Sequence, residues 1–217
     1  MFDRVKTLFS SQGRRDDEMS AWASAHRLSF QVTNGGQGML LQGDVGGKPL
    51  EIERGRATRE YVLGDELRAR VQLDLDDNIA VLVINRVLRD ALEKAAYEQY
   101  TDTLQTSVNA PLTEEMRWMA LYKEVEDVRW APEFRQVFCV LANDRQNALG
   151  WLTPELQGAL MAWPGAGMAP AKPFTLMLLR GKLYLRMQDH AGSASVLRHA
   201  TAVVITAARV ALSTFQR

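Results

Sequence analysis

The sequence predicts an α+β protein of two antiparallel or mixed sheet halves packed with helices and closed by a long C-terminal helix. Three patterns carry that expectation. Residues 67–75 alternate, with Leu67, Ala69, Val71, Leu73 and Leu75 on one side and Arg68, Arg70, Gln72 and Asp74 on the other. This is the period of a strand with one face on a core. Residues 79–84 are apolar at every position and 135–141 are largely so. Such runs read as central strands buried on both faces, each covered by the helix that follows it. Finally, Val196, Ala200, Val203, Ala207 and Val210 recur at helical spacing along 193–215, a stripe one core can bury.

The remaining elements follow in chain order. A short helix is expected over 18–27, with Trp22, Ala25 and Met19 on its apolar side. Strands over 28–32, 39–43 and 49–54 are separated by Asn34-Gly35-Gly36 and Asp44-Val45-Gly46-Gly47, turn residues that make an antiparallel meander. Asn85 caps a helix to about residue 100. A polar loop over 101–112 precedes a helix over 113–125. Asn143 or Asp144 caps another helical stretch, restarted by Thr153-Pro154-Glu155 because proline suits a first turn, and Trp163-Pro164-Gly165-Ala166-Gly167 ends it. Strands over 174–179 and 182–187 flank the tight turn Arg180-Gly181. The chain therefore divides into an N-terminal segment (1–17), a first half (18–100), a linker (101–112) and a second half (113–217). A faint echo links the halves: an apolar strand, an asparagine, an arginine, then Ala-Leu recur around Asn85 and Asn143.

Composition narrows the function. The 217 residues are 47% hydrophobic and 24% charged, an ordinary globular balance that excludes a disordered chain, a fibrous repeat and a disulfide scaffold. Twenty-six basic residues cancel 26 acidic ones, so no clustered positive charge argues for nucleic acid. The single cysteine, Cys139, lies in an apolar run and reads as a small hydrophobe. Phe2, Val5, Leu8 and Phe9 share a helical face, so membrane contact, if any, would come through residues 1–9. The N-terminus lacks the apolar stretch of a signal peptide. The apolar segment 200–212 falls short of the roughly 20 residues that span a bilayer. The cytoplasm is the expected compartment.

No catalytic, cofactor or metal motif emerges. Residues 43–48 approach a phosphate loop, but Gln42 and Pro49 replace its first glycine and its hydroxyl. Asp74-Leu75-Asp76-Asp77-Asn78 has the carboxylate density of a calcium loop, yet Ile79 and Asn85 stand where glycine and glutamate are required. His26, His190 and His199 form no ligand pair. Two groupings remain. Arg54, Arg56 and Arg59 leave a strand end on a glycine-containing loop, and guanidinium forks suit an anion. Against that, Glu51, Glu53 and Glu60 could already neutralise them, and Glu51 and Glu53 suit cross-strand pairs with Arg68 and Arg70. Met116, Trp118, Met119, Tyr122 and Trp130 cluster on a charged segment and form either internal packing or a partner surface.

The segments Trp22-Ala23-x-x-His26-x-Leu28-x-Phe30, Glu53-Arg54-Gly55 and Leu178-x-x-Gly181-x-Leu183-Tyr184 resemble uncharacterised proteobacterial proteins that carry no established catalytic motif. By analogy alone, the strand–helix order of each half is similar to the small α+β fold of secretion chaperones. The expectation is a non-enzymatic binding or protein-interaction module with a protein partner or a second copy as ligand. Its rivals are a small-anion-binding protein or enzyme centred on Arg54, Arg56 and Arg59, and a peripheral membrane protein.

Overall fold

The computed structural model describes residues 13, 16–103, 113–164, 172–189 and 193–216. Residues 1–9, the linker residues 104–112, Gly165 to Gly167 and His190 lie outside them. The fold is α+β. One antiparallel sheet has the order β1 (Ser29–Thr33), β2 (Gly38–Val45), β3 (Lys48–Arg56), β4 (Asp65–Gln72), β9 (Lys182–Asp189), β8 (Phe174–Leu179), β5 (Val81–Asn85), β7 (Phe138–Ala142) and β6 (Lys123–Glu124). Seven helices among the described residues cover it: α1 (16–25), α2 (Arg86–Thr103), α3 (Glu114–Leu121), α4 (Pro132–Val137), α5 (Arg145–Trp151), α6 (Pro154–Met161) and α7 (Ala194–Phe215).

Local chemistry sets most of these boundaries. The expected meander forms β1 to β3, and β4 extends it by pairing with β3. At the β8–β9 hairpin, Arg180 (φ 52°) and Gly181 (φ 69°) are both left-handed, the geometry whose twist matches paired strands. A Cβ at Gly181 would stand 2.7 Å from the Leu75 carbonyl oxygen, so the turn also needs the missing side chain. Thr113, Asp144, Thr153 and Ser193 each cap a helix by accepting from a backbone N–H of its first turn, which satisfies an otherwise orphaned donor.

The sheet has two unequal faces. Leu41, Ile52, Leu67, Val83, Val140, Leu176 and Leu185 point to the first face, which meets α1 and α4 to α7. An aromatic chain runs through this core, from Trp130 to Phe134 (6.1 Å), Phe138 (5.2 Å), Phe174 (5.6 Å) and Trp163 (5.6 Å). Among the described residues the second face is covered only at one end, where Leu88 and Leu92 of α2 and Met116 and Trp118 of α3 meet Leu82, Ile84, Cys139, Leu141 and Met177. Hence β5, β7 and β8 are buried at every position. By length and composition α7 could cross a membrane, but 56% of its most apolar window is buried. Its Ala200, Val203, Val204, Ala207 and Ala211 pack in the main core.

Several expectations need correction. The two sheet halves are one sheet with interleaved strands: β9 and β8 stand between β4 and β5. Residues 135–137 are the end of α4, a helix started by Pro132, and only 138–142 form a strand. The helix expected over 113–125 stops at Leu121, and Lys123 and Glu124 pair instead with Ala142 and Leu141. Helix α2 runs through the first three positions of the expected linker. The two echoing strands, β5 and β7, are antiparallel neighbours, with α2 and α5 on opposite faces.

Candidate functional site

Alternation along β3, β4 and β9 turns every second side chain to the second face, beyond the cover of α2 and α3. Register then aligns them: Glu53 opposes Arg68 and Arg68 opposes Arg186, while in the next row Glu51 opposes Arg70 and Arg70 opposes Tyr184. At the centre of this lattice is Glu66, whose side chain is fully buried. One of its oxygens accepts from the Thr58 N–H (2.8 Å), the Thr58 hydroxyl (2.9 Å) and Arg68 (3.4 Å). The other accepts from Arg186. A carboxylate out of water needs such saturation, since an unpaired buried charge is strongly destabilising. Arg68 also donates to Glu53, and Arg186 to the Thr58 hydroxyl at 2.6 Å. A depression of about 210 Å³ lies beside the network, lined by Glu51, Glu53, Arg68, Arg70, Met177, Tyr184 and Arg186.

The loop between β3 and β4 is tied to α3. Arg59 Nε donates to Glu115 at 2.6 Å and its terminal nitrogen to Glu114 at 3.1 Å, while the Tyr61 hydroxyl donates to Glu115 at 2.9 Å. Both glutamates lie in the first turn of α3, where the helix dipole favours negative charge. Burial, and then the Glu115 charge, push the Tyr61 phenol well above its ordinary value, so it remains a donor.

The three arginines read from the sequence do not share a site. Arg54 donates to Asp189, whose carboxyl is raised by burial even though Arg54 opposes that shift. Arg56 makes no ion pair among the described residues, and Arg59 is held at α3. Arg54 and Arg56 do line a common groove of about 1130 Å³ that runs past Phe30, Asp65 and Leu197. Asp189, Glu114 and Glu115 are the partners of Arg54 and Arg59, whereas the cross-strand pair expected between Glu53 and Arg68 is present. Nor are the aromatic and methionine residues gathered on one surface. Met116 and Trp118 are buried beneath α3 with Met119 and Tyr122 at the margin, and Trp130 is buried in the other core. Sequence reading passed over Glu66, Tyr184 and Arg186. The available signal was polar alternation in β9, where Lys182, Tyr184, Arg186 and Gln188 mirror Arg68 and Arg70.

Of the other reactive groups, Cys139 is buried, His199 is half-buried and His26 is exposed. Burial pushes the Cys139 thiol up to about 12. Burial also lowers the His199 imidazole, although its Nε2 lies 2.9 Å from the Ala159 carbonyl oxygen. His26 Nδ1 lies 2.8 Å from the Trp22 carbonyl oxygen. No group of three potential metal ligands occurs among the described residues.

No protein-family model and no curated protein matches the chain. Among solved structures, the crystal structure of the mycobacterial trehalose monomycolate transport factor A (TtfA) is similar with a TM-score of 0.49 and 9% sequence identity, over 92% of this chain and 94% of that one.

Proposed function

We propose that the chain is a non-enzymatic binding module whose recognition surface is the open half of the second sheet face. The observation that carries this reading is the ion-paired lattice of Glu53, Glu66, Arg68 and Arg186 on the part of the face that no helix covers among the described residues. Ordinary solvated charges on long side chains move freely and contribute little. Here Arg68 and Arg186 are only 25% and 18% exposed, held through shared acceptors. Less ordering is then left to be done on binding. Because both signs alternate beside Tyr184 and Met177, the fitting ligand is a polypeptide segment with mixed charge and apolar side chains. Glu66 is already saturated by Arg68, Arg186 and Thr58, which favours a structural part in binding over a catalytic one. The reading takes α7 as a core helix and the protein as cytoplasmic.

A photo-crosslinking residue at Arg70 or Tyr184, with one at the 88% exposed Val128 as control, tests it in the producing cells. Adducts to another polypeptide from the first two positions alone are expected. Equal adducts from Val128, or none from the sheet, would contradict the reading, as would turnover in esterase, phosphatase or protease screens that a single substitution abolishes.

The groove lined by Arg54 and Arg56 favours a second reading, small-anion binding. Phosphate or citrate would then raise the melting temperature saturably, and Arg56→Ala would remove that rise. No rise in the unsubstituted protein would dismiss it.

A further inference from the structure

A sheet edge presents unpaired backbone N–H and C=O groups, and proteins normally blunt it with short strands, charge or cover. The two edges here differ in that respect. Strand β6 is two residues long, and its Glu124 is tied to Arg86 at 3.3 Å and Arg89 at 3.0 Å. Strand β1 has five residues, Ser-Phe-Gln-Val-Thr, with no charge and no proline. Residues 28–34 and the β2 positions paired with them carry no charge either. Among the described residues the backbone of β1 bonds only to β2. Val32 is 43% exposed.

We propose that β1 is a dimerisation edge at which two copies pair antiparallel about a two-fold axis through Gln31, joining their sheets into one. The sequence is complementary to itself in that register. Gln31 meets Gln31, so two amides exchange hydrogen bonds. Phe30 meets Val32 twice, an aromatic and β-branched cross-strand pair, and Ser29 meets Thr33. Each exposed Val32 gains an aromatic cover, and no like charges are brought together. A two-fold axis satisfies both copies with the same patch. The proposal is independent of the reading of the charged face.

Because Gln31 is exposed and sits on the axis, a charge placed there meets itself. Gln31→Lys and Gln31→Glu are made in the full chain, their melting curves are checked against the unsubstituted protein, and masses are measured by sedimentation. The unsubstituted protein should sediment at twice 24.4 kDa. Each variant alone should fall to the single mass, and an equimolar mixture should return to the double mass, because Lys and Glu then face each other. A monomeric unsubstituted protein would overturn the proposal. So would a dimer indifferent to both substitutions, or a mixture that stays monomeric. A monomer whose alternate β1 amides are still protected from hydrogen exchange would place another segment of the same chain on this edge, and would overturn it equally.

Discussion

Strands β5 and β8 are buried at all positions, whereas β9, which pairs with β8, alternates between buried and half-exposed residues. The change occurs within one sheet, across a single pair of neighbours, and coincides with the limit of cover by α2 and α3. One half of the sheet is a three-layer sandwich. The other has a core on one side and an ion-paired polar face on the other. Apolar burial contributes roughly 1.5–3 kcal/mol per large side chain, and the sandwiched half collects it on both faces. The open half forgoes that gain on its second face, and the polar side chains retained there are fixed in place.

Substitutions can test this contrast. The largest effect should come from Val83→Asp. Val83 is fully buried on β5, and an unpaired carboxylate there costs several kcal/mol, much of a typical domain's stability. Gln72→Asp, on the half-exposed polar side of β4, should stay within about 0.5 kcal/mol. Urea midpoints compare the two, and equal midpoints would mean that β5 does not face the main core. Next, Trp151→Ala should cost about 3–5 kcal/mol. Trp151 is fully buried and donates from Nε1 to the Ala207 carbonyl oxygen at 3.0 Å, tying α5 to α7. A loss under 1 kcal/mol would contradict that packing.

On the open face, Glu66→Ala should cost about 2 kcal/mol, below the 3–5 of a fully buried pair because both arginines keep some solvent. Glu51→Ala, in the adjacent row and exposed, should be near neutral. Equal effects would show that the lattice is ordinary surface charge. The smallest effect concerns pH. Burial holds the His199 imidazole below its ordinary value, so the unfolded chain takes up the proton first. Stability from this residue is therefore complete above about pH 6.5 and is lost as pH falls from there through the folded value. His199→Gln should flatten the melting temperature between pH 7 and 5, and an unchanged slope would exclude His199 as its source.

Much of the fold was legible because it is written in local patterns. Glycine turns marked the meander, Leu67 to Gln72 marked a one-sided strand, and Thr113, Thr153 and Ser193 marked helix starts. Sheet order was not, because pairing of β4 with β9 joins residues more than a hundred apart and no local periodicity records it. The boundary inside 135–141 was hidden because Val137 ends α4 and Phe138 begins β7 without a break in apolar character. The same distance concealed the charged site. Arg54 finds Asp189 and Arg59 finds Glu115, 135 and 56 residues away, whereas sequence proximity suggested Glu51, Glu53 and Glu60. Only Glu53 with Arg68, across one hairpin, could be read in advance.

Native-state hydrogen exchange measures the central contrast residue by residue. Amides of β5, β7 and β8 should exchange only through global unfolding, those of β4 and β9 nearly as slowly, and those of β1 and β2, measured in the Gln31→Lys variant so that no second copy pairs with β1, through smaller local openings. The free energies should descend along one continuous sheet. Protection equal at both ends, or two separate units divided between residues 18–100 and 113–217, would contradict a single sheet sandwiched at one end and open at the other.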